Sequence, residues 1–193
     1  MHWGRKDAMK KLAATAWITL LFLSFSVLGQ ANPNKATVAL IQTDEASLLK
    51  AADVASILPS TVFFQGRTAP IQGRNSGGIR FGDKSLMLVT LVDSSGYSSQ
   101  VQERYQAYLI TESAIDIDGH RLAAGAYGCG FLGNNAFIVM DIGGHELFTA
   151  HATHDENLRR PTPLQIMVSS NEPGKYRLYG GRNFVVFRIS TES

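Results

Sequence analysis

The sequence predicts an all-β domain, mainly an antiparallel sandwich or a partly open barrel, with one N-terminal helix. Short apolar runs alternate with Gly, Asn and Asp punctuation at roughly ten-residue spacing over most of the chain, the pattern of antiparallel sandwiches and barrels. Two-residue and four-residue turn signals separate those runs. Only one segment shows helical periodicity.

The elements follow in order. Arg5, Lys6, Lys10 and Lys11 precede an apolar run from Leu12 to Leu28, and Gly29 and Ala31 flank Gln30. A basic segment, an apolar segment and a small-x-small exit are the parts of a secretory signal peptide. Residues 1–31 are therefore expected to be a signal peptide cleaved after Ala31, and 32–193 a single mostly-β domain. The alternative is a retained membrane anchor, but the run has 17 residues and a comfortable span needs about 20. No cysteine near the exit offers a lipoprotein anchor. The expected compartment is periplasmic or extracellular.

Residues 43–58, "TDEASLLKAADVASIL", carry the helix. Thr43 suits an N-cap, and Asp44 and Glu45 suit the positive end of the helix dipole. Leu48, Ala51, Ala52, Ala55 and Leu58 repeat at helical spacing, and Pro59 stops the run. Eight to ten short strands are expected beyond it, among them "TVFF", "LMLVTLVD", "YQAYLITE", "AIDIDGHRL", "AFIVMDI", "LQIMVS", "YRLY" and "FVVF". Asp118-Gly119, "LGNN", "NEPG" and "GGRN" are the turns between several of them. Residues 65–80, "QGRTAPIQGRNSGGIR", read as the longest weakly structured stretch, and long loops tend to be functional or mobile.

Charge narrows the partners. The full chain has 18 Lys+Arg against 16 Asp+Glu, but removing the leader leaves 14 against 15. The basic balance belongs to the leader, so the mature chain lacks the positive footprint that nucleic-acid binding needs. With Cys129 as the one cysteine, no internal disulfide can form and an exported domain must rely on its core. Lying in "GAYGCGF", Cys129 is expected to be buried as a small apolar residue.

Three constellations could carry chemistry. "GGHELFTAHATHDE", 143–156, holds His145, His151 and His154 with Glu146, Asp155 and Glu156. Imidazoles and carboxylates bind zinc or copper, but the H-x5-H-x2-H spacing fits no helical zinc motif. On one strand His145 and His151 would stand about 20 Å apart. His151, His154 and Asp155 in a loop are the more compact candidate metal set. The alternative is a strand running into a polar turn, with Thr153 and Glu156 as a capping box.

The second constellation is Arg67, Gln72, Arg74, Asn75 and Arg80 among glycines 66, 73, 77 and 78. Arginine forks and backbone N–H groups recognise carboxylate, phosphate or sulfate, and glycine admits positive φ and close ligand approach. No Walker Lys-Ser/Thr follows. The competing reading is a solvated loop. The third is "DSSGYSS", whose serines lack G-x-S-x-G and suit a turn. Glu103, Glu112, Asp116 and Asp141 show no spacing that favours paired glycosidase acids. The aromatics Phe63, Phe64, Tyr97, Tyr105, Tyr108, Tyr127, Tyr176 and Tyr179 are expected in the core and in cross-strand pairs rather than on a sugar platform.

"PIQGRNSGGIRF", "LVDSSGYSSQVQERYQAYLITE", "LAAGAYGCGF" and "RPTPLQIM…YRLYGGRNFVVF" resemble a group of uncharacterised exported proteins of acidobacterial soil bacteria, over roughly 59–188. The element from Gly119 to Tyr127 is also similar to a broader set of secreted bacterial β-domains of unknown function. The resemblance implies an exported β-domain and carries over no catalytic residue.

The expected function is an exported, non-enzymatic binding domain for a small anion, a glycan or another envelope component, with Arg67, Arg74, Asn75 and Arg80 as contacts and Arg182 as a further candidate. The alternatives are a metal-dependent hydrolase using His151, His154 and Asp155 with zinc or copper, and a structural envelope protein with protein partners only. Neither a resident cofactor nor a nucleic-acid partner is expected, nor a stable membrane span after cleavage.

Overall fold

A computed structural model describes residues 46–190; the leader, Thr43 and the two acidic residues after it lie outside them. The first strand β1 (Ser47–Leu49) leads into helix α1 (Ala51–Ile57), then β2 (Thr61–Phe64), β3 (Arg67–Arg80) and β4 (Leu86–Val92). Helix α2 (Ser99–Arg104) precedes β5 (Ala107–Thr111), β6 (Ile115–Ile117) and β7 (His120–Leu122). The chain continues through β8 (Gly125–Leu132), β9 (Ala136–Met140), β10 (Glu146–His151) and β11 (Thr153–His154). It closes with β12 (Gln165–Val168), β13 (Tyr176–Gly180) and β14 (Asn183–Ile189). Among the described residues no helix is long and apolar enough to cross a membrane.

The all-β expectation holds, as two antiparallel sheets that do not close into a barrel. One has eight strands, ordered β1-β3-β4-β5-β8-β9-β10 with β2 paired to β3. The other has six, ordered β12-β13-β14-β6-β7 with β11 paired to β14. Alternation builds the sandwich: Met87, Val89, Leu109, Phe137 and Val139 of the larger sheet meet Ile117, Ile166, Leu178, Val185 and Phe187 of the smaller in one buried cluster. The larger sheet is covered on its other face as well. There Val62, Phe64, Ala69, Tyr97, Tyr105, Tyr108 and Met140 form a second cluster, and α1 packs Val54 and Leu58 onto Leu88 in a third. Because both faces are buried, β9 is buried at every position, Ala136 through Met140, and shows no polar alternation.

Turn chemistry fell where the sequence put it. Asp118 and Gly119 have φ of 50° and 86°, joining β6 to β7 as a two-residue hairpin of the primed kind. Gln65 and Gly66, at 48° and 77°, form a second such turn between β2 and β3, inside the stretch expected to be a loop.

The single helix expected is joined by a second, the six-residue α2 at Ser99–Arg104, and two further expectations are corrected. The helix is shorter: it starts at Ala51, with the Lys50 N–H donating to Asp53 Oδ2 at 3.3 Å, and the preceding Ser47–Leu49 pairs with Arg80, Ile79 and Gly78 of β3. An open strand edge won over helix propensity, although Pro59 does mark the end. The second correction is that 67–80 is a strand, not a loop. It pairs with β2, then with β4, and between Ile71 and Ser76 its register against β4 shifts. Its glycines serve packing rather than ligand approach. A Cβ on Gly78 would meet Val54 and Leu88 side-chain atoms at 2.9 Å, and one on Gly73 would meet the Ala55 Cβ at 3.0 Å. Glycine inside a strand marks such close approaches and bulges.

Candidate functional site

The strand assignment scatters the arginine constellation. Arg67 opens β3 beside the turn that follows β4, whereas Arg80 lies opposite Leu86 at the other end of β4, about 20 Å away along that strand. Arg74 and Asn75 occupy the register shift, where Asn75 Nδ2 donates to Gln72 Oε1 at 2.9 Å and Gln72 Nε2 donates to the Val92 carbonyl at 3.3 Å. These four residues do not form one site. Arg182 is a structural residue: its Nη1 donates to the carbonyls of Asp155, Glu156 and Leu158 at 3.4, 3.2 and 2.8 Å. It ties down the loop between β11 and β12.

Arg67 alone joins a concave surface, a cleft of about 620 Å³ between the β2–β3 hairpin and the turn after β4. Phe63, Arg67, Thr68 and Pro70 line one wall, and Asp93, Ser95, Gly96 and Tyr97 the other. The hairpin places them by strand alternation: Phe64 points into the sheet and is fully buried, so its neighbour Phe63 points out and is 50% exposed. Phe63 is therefore not a core aromatic, contrary to the expectation from its neighbours.

The cleft walls are locked together. Arg67 Nη1 donates to the Gly96 carbonyl. The Tyr97 hydroxyl donates to the Phe64 carbonyl at 2.9 Å and lies 3.3 Å from the Arg67 carbonyl. The Asp93 N–H donates to the Pro70 carbonyl at 2.9 Å. Burial raises the Tyr97 phenol above its ordinary pKa against the opposing pull of the Arg67 charge, so Tyr97 stays a neutral donor. Hydrogen bonds from the Ser95 hydroxyl and then the Ser95 N–H hold the exposed Asp93 carboxyl below its ordinary pKa. Asp93 is an ionised acceptor at neutral pH.

A guanidinium bonded to the Gly96 carbonyl, a carboxylate acceptor and an exposed aromatic face thus border one opening. Hydroxyls both donate and accept, so a polyhydroxylated ligand can satisfy both charged groups while its C–H face lies on Phe63. A simple anion would meet Asp93 as well as Arg67, and like charge in a recognition site is repulsive. Asp93, Ser95 and Gly96 lie in "DSSGYSS", a stretch the sequence singles out for its serines but that signals a turn whether or not a ligand binds it; the missing information was which hairpin lies opposite.

The histidine-rich stretch is divided between the sheets. His145 sits in the β9–β10 turn, its Nδ1 3.0 Å from Asp141 Oδ2 and its N–H donating to Asp141 Oδ1 at 2.9 Å. His151 ends β10 and its N–H donates to Asp118 Oδ2 at 3.1 Å. His154 lies on β11 of the other sheet, with Nδ1 2.8 Å from Asn183 Oδ1. Asp155 Oδ2 accepts from the Tyr179 hydroxyl at 2.9 Å. Among the described residues no group of three or more His, Cys, Asp or Glu side chains is placed to hold a metal ion.

No family model, no curated protein and no solved structure matches this chain.

Proposed function

We propose that this chain is an exported, non-enzymatic binding domain and that its ligand is a glycan held in the cleft between Phe63, Arg67 and Asp93. The observation that carries the reading is the juxtaposition of an exposed aromatic ring, a guanidinium fixed by the Gly96 carbonyl and an ionised carboxylate around one concavity. Binding sites combine apolar surface with a few placed polar groups, and this set suits the alternating C–H and hydroxyl surfaces of a sugar ring. It favours a neutral glycan over a bare phosphate or sulfate. The leader pattern supports a setting outside the cytoplasm, where envelope and environmental glycans are the available ligands.

The test is calorimetric titration of the full chain with cellotetraose, chitotetraose, xylotetraose and laminaritetraose, with inorganic phosphate as the anion control. Saturable binding of one or more oligosaccharides, lost in Phe63→Ala and Arg67→Ala, supports the proposal. Binding of phosphate alone, or oligosaccharide binding that both variants retain, contradicts it.

A further inference from the structure

We infer that the sandwich holds a second, independent site: an inter-sheet cavity that takes one small apolar molecule or acyl chain. The cavity measures about 320 Å³ and lies between the sheets, with Val89, Cys129, Phe137, Leu164 and Leu178 among its walls and Ser94 and Gly180 also lining it. Protein interiors are close-packed and seldom leave voids larger than a water molecule. This one is not a closed void: it is partly open to solvent, above a floor of close-packed side chains in which Val89, Cys129, Phe137 and Leu178 are 0–1% exposed.

Its origin is legible in the residues. Ala107 and Cys129, two small side chains, pair across β5 and β8. One step on, Gly180 contributes no side chain to the lining, whereas a Cβ on Gly130 would meet the Arg104 carbonyl, so that glycine opens no space here. Elsewhere between the sheets the facing positions carry Met87, Leu109, Ile117 and Phe187 and are filled. A Cβ on Gly180 would collide with the Phe131 ring, so glycine there lets Phe131 stand as a wall.

The wall chemistry selects the ligand. No carboxylate, ammonium, guanidinium or imidazole lines the cavity. The one ionisable group is the Cys129 thiol, which burial keeps protonated. The Gln106 carboxamide is already engaged: Nε2 donates to the carbonyls of Glu103 at 2.8 Å and Phe131 at 2.9 Å, and Oε1 accepts from the Phe131 N–H at 3.1 Å. The walls are uncharged but mixed, with Ser94, the Gln106 carboxamide and glycine backbone beside the apolar side chains, so the occupant is an uncharged, mainly apolar group held with few polar contacts, any charged head being left outside. Ser94 belongs to this cavity while its neighbours Asp93 and Ser95 line the glycan cleft; the two sites are separated by one turn.

The test titrates the full chain with decanoate and n-decanol by calorimetry and thermal melting. One molecule per chain, a negative heat-capacity change and a melting point that rises with ligand concentration are expected. Ala107→Leu and Cys129→Leu, which fill the cavity, should weaken binding at least tenfold, while Phe63→Ala leaves it unchanged. Should both filled variants fail to fold, contacts in the unaltered chain decide. Intermolecular NMR cross-peaks from the decyl chain to the Val89, Leu164 and Leu178 methyls support the cavity; cross-peaks only to surface methyls overturn it. Absence of saturable binding of either probe, or full affinity in the filled variants, also overturns it. Because the readout excludes Phe63 and Arg67, failure here leaves the glycan reading standing, and the converse.

Discussion

The Phe64 ring stacks on Tyr105, centroids 3.9 Å apart and planes 13° from parallel, and the Phe64 ring lies where a side chain on Gly128 would stand. Tyr97 meets both rings edge-on, at 6.2 Å from Phe64 and 5.5 Å from Tyr105. This cluster fastens the β2–β3 hairpin and the turn after β4 to the outer face of the larger sheet, and so fixes both cleft walls. Stacked and edge-on aromatic pairs add about 0.5–1.5 kcal/mol beyond their area burial.

Gly128→Ala should therefore act at a distance. The added methyl must displace the Phe64 ring, and overpacking a core typically costs about 1–3 kcal/mol. Urea unfolding should show a lowered midpoint with an unchanged slope, and glycan affinity should fall with it. An unaltered midpoint would mean that the ring moves aside freely and that the stack does not hold the hairpin.

At Arg67 the side chain is exposed, so losing its hydrogen bond to the Gly96 carbonyl on substitution to alanine should cost about 0.5–1.5 kcal/mol of stability. Glycan binding should fall at least tenfold. Arg67→Lys should recover little, since an ammonium cannot bond the Gly96 carbonyl and a ligand through one planar fork. Calorimetry beside a thermal melt separates the two effects.

Much of this architecture was legible in the residues. Asp118-Gly119 named its turn, Pro59 named the end of the helix, and the strand runs named the class. The glycines at 73 and 78 misled because glycine is equally the residue of loops and of strands on which a helix rests closely, and Gly77 because it faces Ile166 of the other sheet. Ser47–Leu49 misled because a helical period cannot reveal an open sheet edge waiting at Gly78–Arg80. Arg67 was visible as a candidate; its partnership with Phe63, Asp93 and Gly96 was not, since only the hairpin's fold over the sheet brings residues 29 apart into contact.

Burial pushes the Cys129 thiol from its ordinary 9.0 up to about 12. The sign follows from linkage: the unfolded chain releases this proton near its ordinary pKa while the folded chain retains it. Stability is thus fully present below about pH 9 and is lost as pH rises toward 12. Burial raises the Tyr105, Tyr108 and Tyr97 phenols too, in the same direction. Alkaline titration of the urea midpoint should show the fall, and Cys129→Ala should make it shallower. The native thiol should also resist Ellman's reagent at pH 8 and react once urea unfolds the chain.

Metal removal should leave the fold untouched. His154 lies beside Asn183 and Asp155 accepts from Tyr179, and His151 lies on the other sheet. Elemental analysis after chelator-free purification should find no stoichiometric zinc or copper, with melts superimposable with and without EDTA. Near-stoichiometric metal and a melt lowered by EDTA would put the hydrolase reading ahead of the binding one.

The most direct test of the central claim is an amide-resolved NMR titration of the 15N-labelled chain with the four oligosaccharides. The account predicts that a binding oligosaccharide shifts the amides of Phe63, Arg67, Thr68, Asp93, Ser95, Gly96 and Tyr97 along saturable curves, with Arg74, Arg80 and the 143–156 stretch unmoved. Saturable shifts centred on His151, His154 or Arg74, or no shift with any of the four, would contradict it.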